Sequence, residues 1–132
     1  PYLVTLNKGQ SYQVQSNSDS ALTGSKVEVQ NCKPVAVFGG SVCSNVPATC
    51  SYCDHLYEQL YPINMWGKEY VIVPTATRNF DRLMVLTDQI NTQVTINGTT
   101  TTIGAAGSSI ESDINTPQYI SSNKPICVAF WK

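Results

Sequence analysis

The sequence predicts an all-β fold, an antiparallel β-sandwich or barrel-like domain with pseudo-repeated β units, and three observations carry that expectation. Apolar residues recur mostly with period two, the spacing that puts alternate side chains on one face of a strand. Gly, Pro and Asn interrupt the pattern every ~8–12 residues, as in sandwiches and barrels. Only one stretch has helical spacing: Asp54 to Tyr61, with Leu56 and Leu60 at i, i+4 and Glu58 and Gln59 outward, ended by Pro62. With the neighbouring cysteines it reads as one short helical or irregular, disulfide-rich insertion.

The strands are expected in order. Tyr2 to Leu6 is followed by a turn at Asn7-Lys8-Gly9-Gln10. Tyr12 and Val14 alternate with Ser11, Gln13 and Gln15, and Val27 and Val29 alternate with Glu28 and Gln30. Val35 to Phe38 is a continuous apolar run, suited to a strand buried on both faces, and Gly39-Gly40 after it reads as a bulge or turn. Later candidates are Tyr70 to Val73, Arg82 to Leu86, Thr92 to Ile96, Thr99 to Ile103, Tyr119-Ile120 and Ile126 to Trp131. Asn97-Gly98 between two Thr-rich runs predicts a type I′ hairpin, whose two central residues both need φ > 0.

Two stretches echo one another. Asn31 to Phe38 resembles Ser122 to Ala129, each with a Lys-Pro dipeptide ahead of an apolar run. Leu6 to Tyr12 resembles Ile103 to Ser109. Proline cannot donate to a ladder, so Lys-Pro suits the start of a strand. The chain therefore reads as a single β domain over 1–132 with pseudo-repeat units at about 1–40 and 92–132, the alternative being a chance echo of degenerate period-two patterning. It begins inside one unit and ends on a strand, as expected of a piece of something longer.

Composition narrows the function. Hydrophobic residues make up 42% and charged residues 13%, with a formal charge of −1, so no basic stripe suggests nucleic acid as a partner. No apolar run approaches the ~20 residues that cross a bilayer, so no membrane insertion is expected. Five cysteines, three of them (Cys43, Cys50, Cys53) close together, and the sequon Asn97-Gly98-Thr99 point to a secreted, extracellular glycoprotein.

One ordered set of motifs carries a family resemblance. It comprises Leu6-Asn7-Lys8-Gly9-Gln10-Ser11-Tyr12-Gln13-Val14, Leu22-Thr23-Gly24-Ser25 and Lys33-Pro34-Val35-Ala36-Val37-Phe38-Gly39-Gly40. Cys53-Asp54-His55-Leu56, Glu58-Gln59-Leu60, Pro62, Trp66-Gly67-Lys68-Glu69-Tyr70 and Val73-Pro74 follow. In this order the chain resembles the IgG Fc-binding protein N-terminal domain family, most strongly from Leu6 to Pro74. The resemblance implies a secreted or surface-exposed module joined to other extracellular modules, in animal mucus and in some bacterial proteins. It implies no catalytic residues, and it does not carry Fc binding to this chain. Cys50 lies between the two cysteines that match the family's pair, and Cys32 and Cys127 sit in the echoed strands, so cross-linking here departs from the family's.

Several clusters invite chemistry. Cys43, Cys50, Cys53 and His55 offer a zinc set, but the one-residue gap between Cys53 and His55 is short for zinc, and a disulfide from Cys43 to Cys53 or Cys50 is preferred. His55, the only histidine, has no third group at a spacing that would orient it for catalysis with Cys53 or Asp54. Glu58, Glu69, Asp81 and Asp88 are scattered acids without a calcium-loop pattern. No cofactor, metal or enzymatic activity is expected. Tyr57, Tyr61 and Trp66 form either an exposed recognition patch or a plug packing the loop onto the sheet, the plug being favoured.

Five cysteines cannot all pair within one chain. The expectation is a non-enzymatic extracellular structural module of a mucus, matrix or surface filament, associating with itself or with other extracellular proteins and glycans. The alternative is an adhesion or binding module that recognises glycan or protein through loops. Tyr2 to Leu6 or Ile126 to Trp131 would serve such assembly by adding a strand to a neighbour's sheet.

Overall fold

A computed structural model describes residues 1–18, 21–46, 48–49 and 51–131. Its regular elements are almost all antiparallel β, in agreement with the expected class. The strands are β1 (Phe38–Ser44), β2 (Asp54–Gln59), β3 (Gly67–Ile72), β4 (Asp81–Thr87), β5 (Thr92–Ile96), β6 (Thr99–Ile103), β7 (Ser109–Ile114) and β8 (Gln118–Trp131). Single 3₁₀ turns occur at Gln30–Cys32 and Ile63–Met65.

β1 and β2 form a hairpin of their own, and β3 to β8 form one curled sheet. The sheet is built of long bent ribbons, with β8 placed between β3 and the ribbon of β4 and β5. Ile126 pairs with Thr87 of β4 and with Gly67 of β3, and Ile120 pairs with Ile96 of β5 and Tyr70 of β3. A residue has one partner on each side, so β3 runs along one side of β8 while β4 and β5 lie end to end along the other. β6 and β7 follow in the same way beyond β5 and β4.

The bends have polar causes. Between β4 and β5, the buried hydroxyls of Thr87 and Thr92 hydrogen-bond to one another at 2.7 Å, and both lie within hydrogen-bond distance of the Gln89 carbonyl. This network satisfies groups that a straight ladder would leave unpaired in the core. The middle of β8 bends beside it, where Asn123 Oδ1 accepts the Gln93 N–H at 2.9 Å and Lys124 Nζ donates to the Ile90 carbonyl. Tyr70 Oη accepts the Gly67 N–H at 2.8 Å and donates to the Ile126 carbonyl at 2.7 Å, bracing the irregular register between β3 and β8.

Period two sets the core. In β4, Asp81, Leu83, Val85 and Thr87 are buried while the intervening residues are half-buried. Leu83 and Val85 join Val94, Ile103, Ile114, Ile120 and Ile126 in one apolar cluster. Among the described residues the core thus lies within 67–131.

The structure corrects several expectations. Asp54–Gln59 is a strand, not a helix. A separation of four is a multiple of two, so a strand also puts Leu56 and Leu60 on one face, and pairing with β1 decides the outcome. Gly39-Gly40 lies inside β1 in regular register with Glu58 and Tyr57; the irregularity falls between Ser41 and Ser44. Tyr2 to Leu6, Ser11 to Gln15 and Val27 to Gln30 join no ladder, and of Val35 to Phe38 only Phe38 is in a strand. Val35 is exposed rather than buried on both faces. Tyr119-Ile120 and Ile126 to Trp131 merge into β8, and β7 arises from Ser109–Ile114, which has few apolar residues to announce it. The Asn97-Gly98 turn forms between β5 and β6, with φ of 46° and 85°.

Candidate binding surface

The β1–β2 hairpin is built from the stretch richest in sequence motifs. Cys43 and Cys53 are bridged, with Cα atoms 5.1 Å apart, closing the loop that leads from β1 to β2. Cross-strand register places Phe38 opposite Gln59 and Gly40 opposite Tyr57. Gly40 presents no side chain, and a Cβ there would collide with the Leu56 carbonyl oxygen. The Tyr57 ring is therefore free to lie along the strand and stack on Phe38, with centroids 5.3 Å apart and planes 5° from parallel.

Other apolar side chains of the hairpin and of the segment that follows it are open to solvent. Tyr52 is 99% exposed, Val42 87%, Tyr61 70% and Tyr57 69%, with Met65 and Phe38 also exposed. Trp66 is half-buried, and its indole N–H donates to the Tyr61 carbonyl at 3.2 Å. The recognition and plug readings thus divide: Tyr57 and Tyr61 face solvent, while Trp66 packs and holds the turn below them. Phe38, Val42, Tyr52 and Met65 were not singled out from the sequence. Phe38 and Val42 have a signal in the spacing Phe38-Gly39-Gly40-Ser41-Val42, which puts them on one face of a strand, whereas Tyr52 and Met65 have none.

The polar groups nearby are acidic and exposed. Asp54 Oδ1 accepts the His55 N–H at 2.8 Å and lies 3.1 Å from its Nδ1. The Cys53 sulfur is bonded to Cys43, so it offers His55 no thiol to activate. Among the described residues no three His, Cys, Asp or Glu side chains gather as metal ligands. The arrangement is chemically suited to recognition through rigid aromatic area with few rotatable bonds.

The other site candidates lie apart. Cys50 falls outside the described residues. Cys32 is exposed and Cys127 half-buried, neither in a disulfide; burial pushes the Cys127 thiol pKa up. Asn97 is exposed at the β5–β6 turn, with Nδ2 donating to Gln118 Oε1 at 2.9 Å and to the Pro117 carbonyl at 3.3 Å. No described helix is long and apolar enough to cross a membrane.

Comparison with known proteins places these features in context. Residues 1–131 match the family described as IgGFc binding protein. A human protein named IgGFc-binding protein is 37% identical over 131 residues, covering 95% of the chain and 2% of its own length. The chain thus spans a small part of the relative it matches. No solved structure matches it.

Proposed function

The chain belongs to the IgGFc binding protein family, and on that premise we propose that it is a non-enzymatic, secreted binding module whose β1–β2 hairpin docks on an extracellular protein. One observation carries the reading: a disulfide-clamped hairpin holds the Phe38–Tyr57 stack, Val42 and Tyr52 in solvent, apart from the core. Exposed apolar patches of this kind mark interaction surfaces, and Tyr is favoured at binding hot spots. The Cys43–Cys53 bridge supports an oxidising, extracellular setting.

The test uses the full chain over immobilised immunoglobulin Fc, the ligand in the relative's name, and over a mucin-type glycoprotein in parallel. Retention on either surface, weakened on the order of tenfold or more by Phe38→Ala with Tyr57→Ala, is expected of hot-spot aromatics. Retention that survives this double substitution, or no retention on either surface, would remove the hairpin from the proposal.

A structural role in a mucus, matrix or surface filament has its own support. Cys32 is exposed and outside any disulfide, accessible to a thiol of another chain. A disulfide-linked dimer on a non-reducing gel, lost with Cys32→Ser, is its expected sign; a monomer under oxidising conditions argues against it.

A further inference from the structure

The N-terminal residues 2–38, of which 2–18 and 21–38 are described, repeat the ribbons that flank β4 and β5 without the ribbon between them that buries them. The turns match. Asn7-Lys8-Gly9-Gln10 is closed by the Gln10 N–H donating to the Asn7 carbonyl at 3.0 Å, with Gly9 at φ 84°. Ala105-Ala106-Gly107-Ser108 is closed by the Ser108 N–H donating to the Ala105 carbonyl at 3.4 Å, with Gly107 at φ 76°. Gly104 is the one extra residue of the later copy. On this alignment Tyr2 to Leu6 corresponds to β6, and Ser11 to Gln15 to the first part of β7. Val27 to Phe38 corresponds to most of β8, with its Lys-Pro dipeptide in place. The bend in β8 also has a counterpart, the break at Asn31 and Cys32, whose φ values are 64° and 52°.

What differs is burial. Ile103, Ile120 and Ile126 are 4%, 0% and 0% exposed, because β4 and β5 bring Leu83, Val85 and Val94 against them. Their counterparts Leu6, Val29 and Val35 are 43%, 43% and 52% exposed. In the later copy the bend is also tied to the central ribbon, where the Gly107 N–H donates to the Thr87 carbonyl at 2.8 Å.

We infer that residues 2–38 are an acceptor for the central ribbon of another repeat of this kind, a two-part strand with the pattern of Asp81–Ile96. Insertion would convert the exposed apolar row into a second curled sheet. The donor is not the same ribbon of a second folded copy of this chain. That ribbon is already flanked on both sides, by β8 and by β6 with β7, and has no free edge to give.

The correspondence of Pro1 with Gly98 dictates the test. A second copy of residues 67–98 is placed directly before Tyr2 in the full chain, so that its Asn-Gly pair makes the same two-residue turn. Hydrogen exchange is followed at the amides of 3–6, 11–15, 27–29 and 35–37. In the unextended chain these amides are expected to exchange at open-chain rates. In the extended chain their exchange slows on the order of 100-fold or more, as in a folded sheet, and Leu6→Ser with Val29→Ser in that background restores fast exchange while 67–131 of the original chain stays protected. Fast exchange in the extended chain with 67–131 protected overturns the inference. So does protection already present in the unextended chain: as a monomer it would mean pairing within the chain, and as a dimer it would mean that a second copy is the donor.

Discussion

Asn97 and Tyr119 grip one another through backbone and side chain at once. The Tyr119 N–H donates to Asn97 Oδ1 at 2.8 Å, and the Asn97 N–H donates to the Tyr119 carbonyl at 3.0 Å. With Nδ2 held by Gln118 and Pro117, the β5–β6 turn is tied to the start of β8. Asn97→Ala removes the acceptor and donors and places alanine at φ 46°. The expected loss is about 1–3 kcal/mol in urea denaturation. Asn97→Asp keeps the acceptor for Tyr119 and should lose less.

The same geometry bears on the sequon. Glycan attachment at Nδ2 uses one of its two hydrogens, both engaged in the folded turn. Oligosaccharide transfer is therefore expected on the reduced, unfolded chain and not on the folded one. An in-vitro transfer assay read by intact mass checks this; equal transfer to both would show that the turn opens readily.

Replacing Cys43 and Cys53 together by serine should loosen the hairpin alone. The bridge spans ten residues of sequence separation, and loops of that size lose about 2–3 kcal/mol when opened. Amides of β1 and β2 should exchange faster while those of β4 and β8 are unchanged. Faster exchange throughout would mean that hairpin and sheet unfold as a unit.

Core truncation should act on the sheet. Ile120→Ala removes a fully buried side chain from the apolar cluster, at an expected cost of about 2–5 kcal/mol. Near-UV circular dichroism during denaturation gives the midpoint. A loss below about 1 kcal/mol would mean that the site collapses around the smaller side chain.

Among the described residues, the two cysteines outside the bridge should differ in reactivity. Cys32 is exposed, whereas Cys127 is half-buried and its thiol pKa is raised by burial. Because the thiolate is the nucleophile, iodoacetamide should modify Cys32 first in the native chain and both equally in denaturant. The raised pKa also sets a sign. The unfolded chain loses this proton at lower pH than the folded one, so stability is unaffected below the ordinary thiol range and falls as pH rises through it. Cys127→Ser should flatten that alkaline decline.

Much of the sheet was legible because its strands carry their own evidence. Arg82 to Leu86 is a short apolar run rich in strand-forming residues, and Asn97-Gly98 can close a two-residue hairpin because both residues tolerate positive φ. Alternation, however, specifies a face that seeks burial, not the strand that will bury it. Tyr12, Val14, Val27 and Val29 have that face and no ladder partner among the described residues. Ser109–Ile114 is the converse case, a strand recruited by pairing with β4 despite its polar sequence. At the hairpin, motif density marked the region, but burial statistics for aromatics pointed inward. The glycine that lets Tyr57 lie across to Phe38 becomes meaningful only once Gly40 and Tyr57 are known to be opposite.

The clamp across the hairpin also governs what a protease can accomplish there. Tyr52 stands almost wholly in solvent inside the loop closed by Cys43 and Cys53, and exposed loop tips are where chains are nicked. A cut between the two cysteines severs the backbone yet releases nothing: β1 and β2 stay joined by their ladder and by the sulfur bridge. Cleavage at this loop therefore leaves a two-chain molecule with its aromatic face still presented, and the halves separate only when the bridge is reduced and the ladder melts.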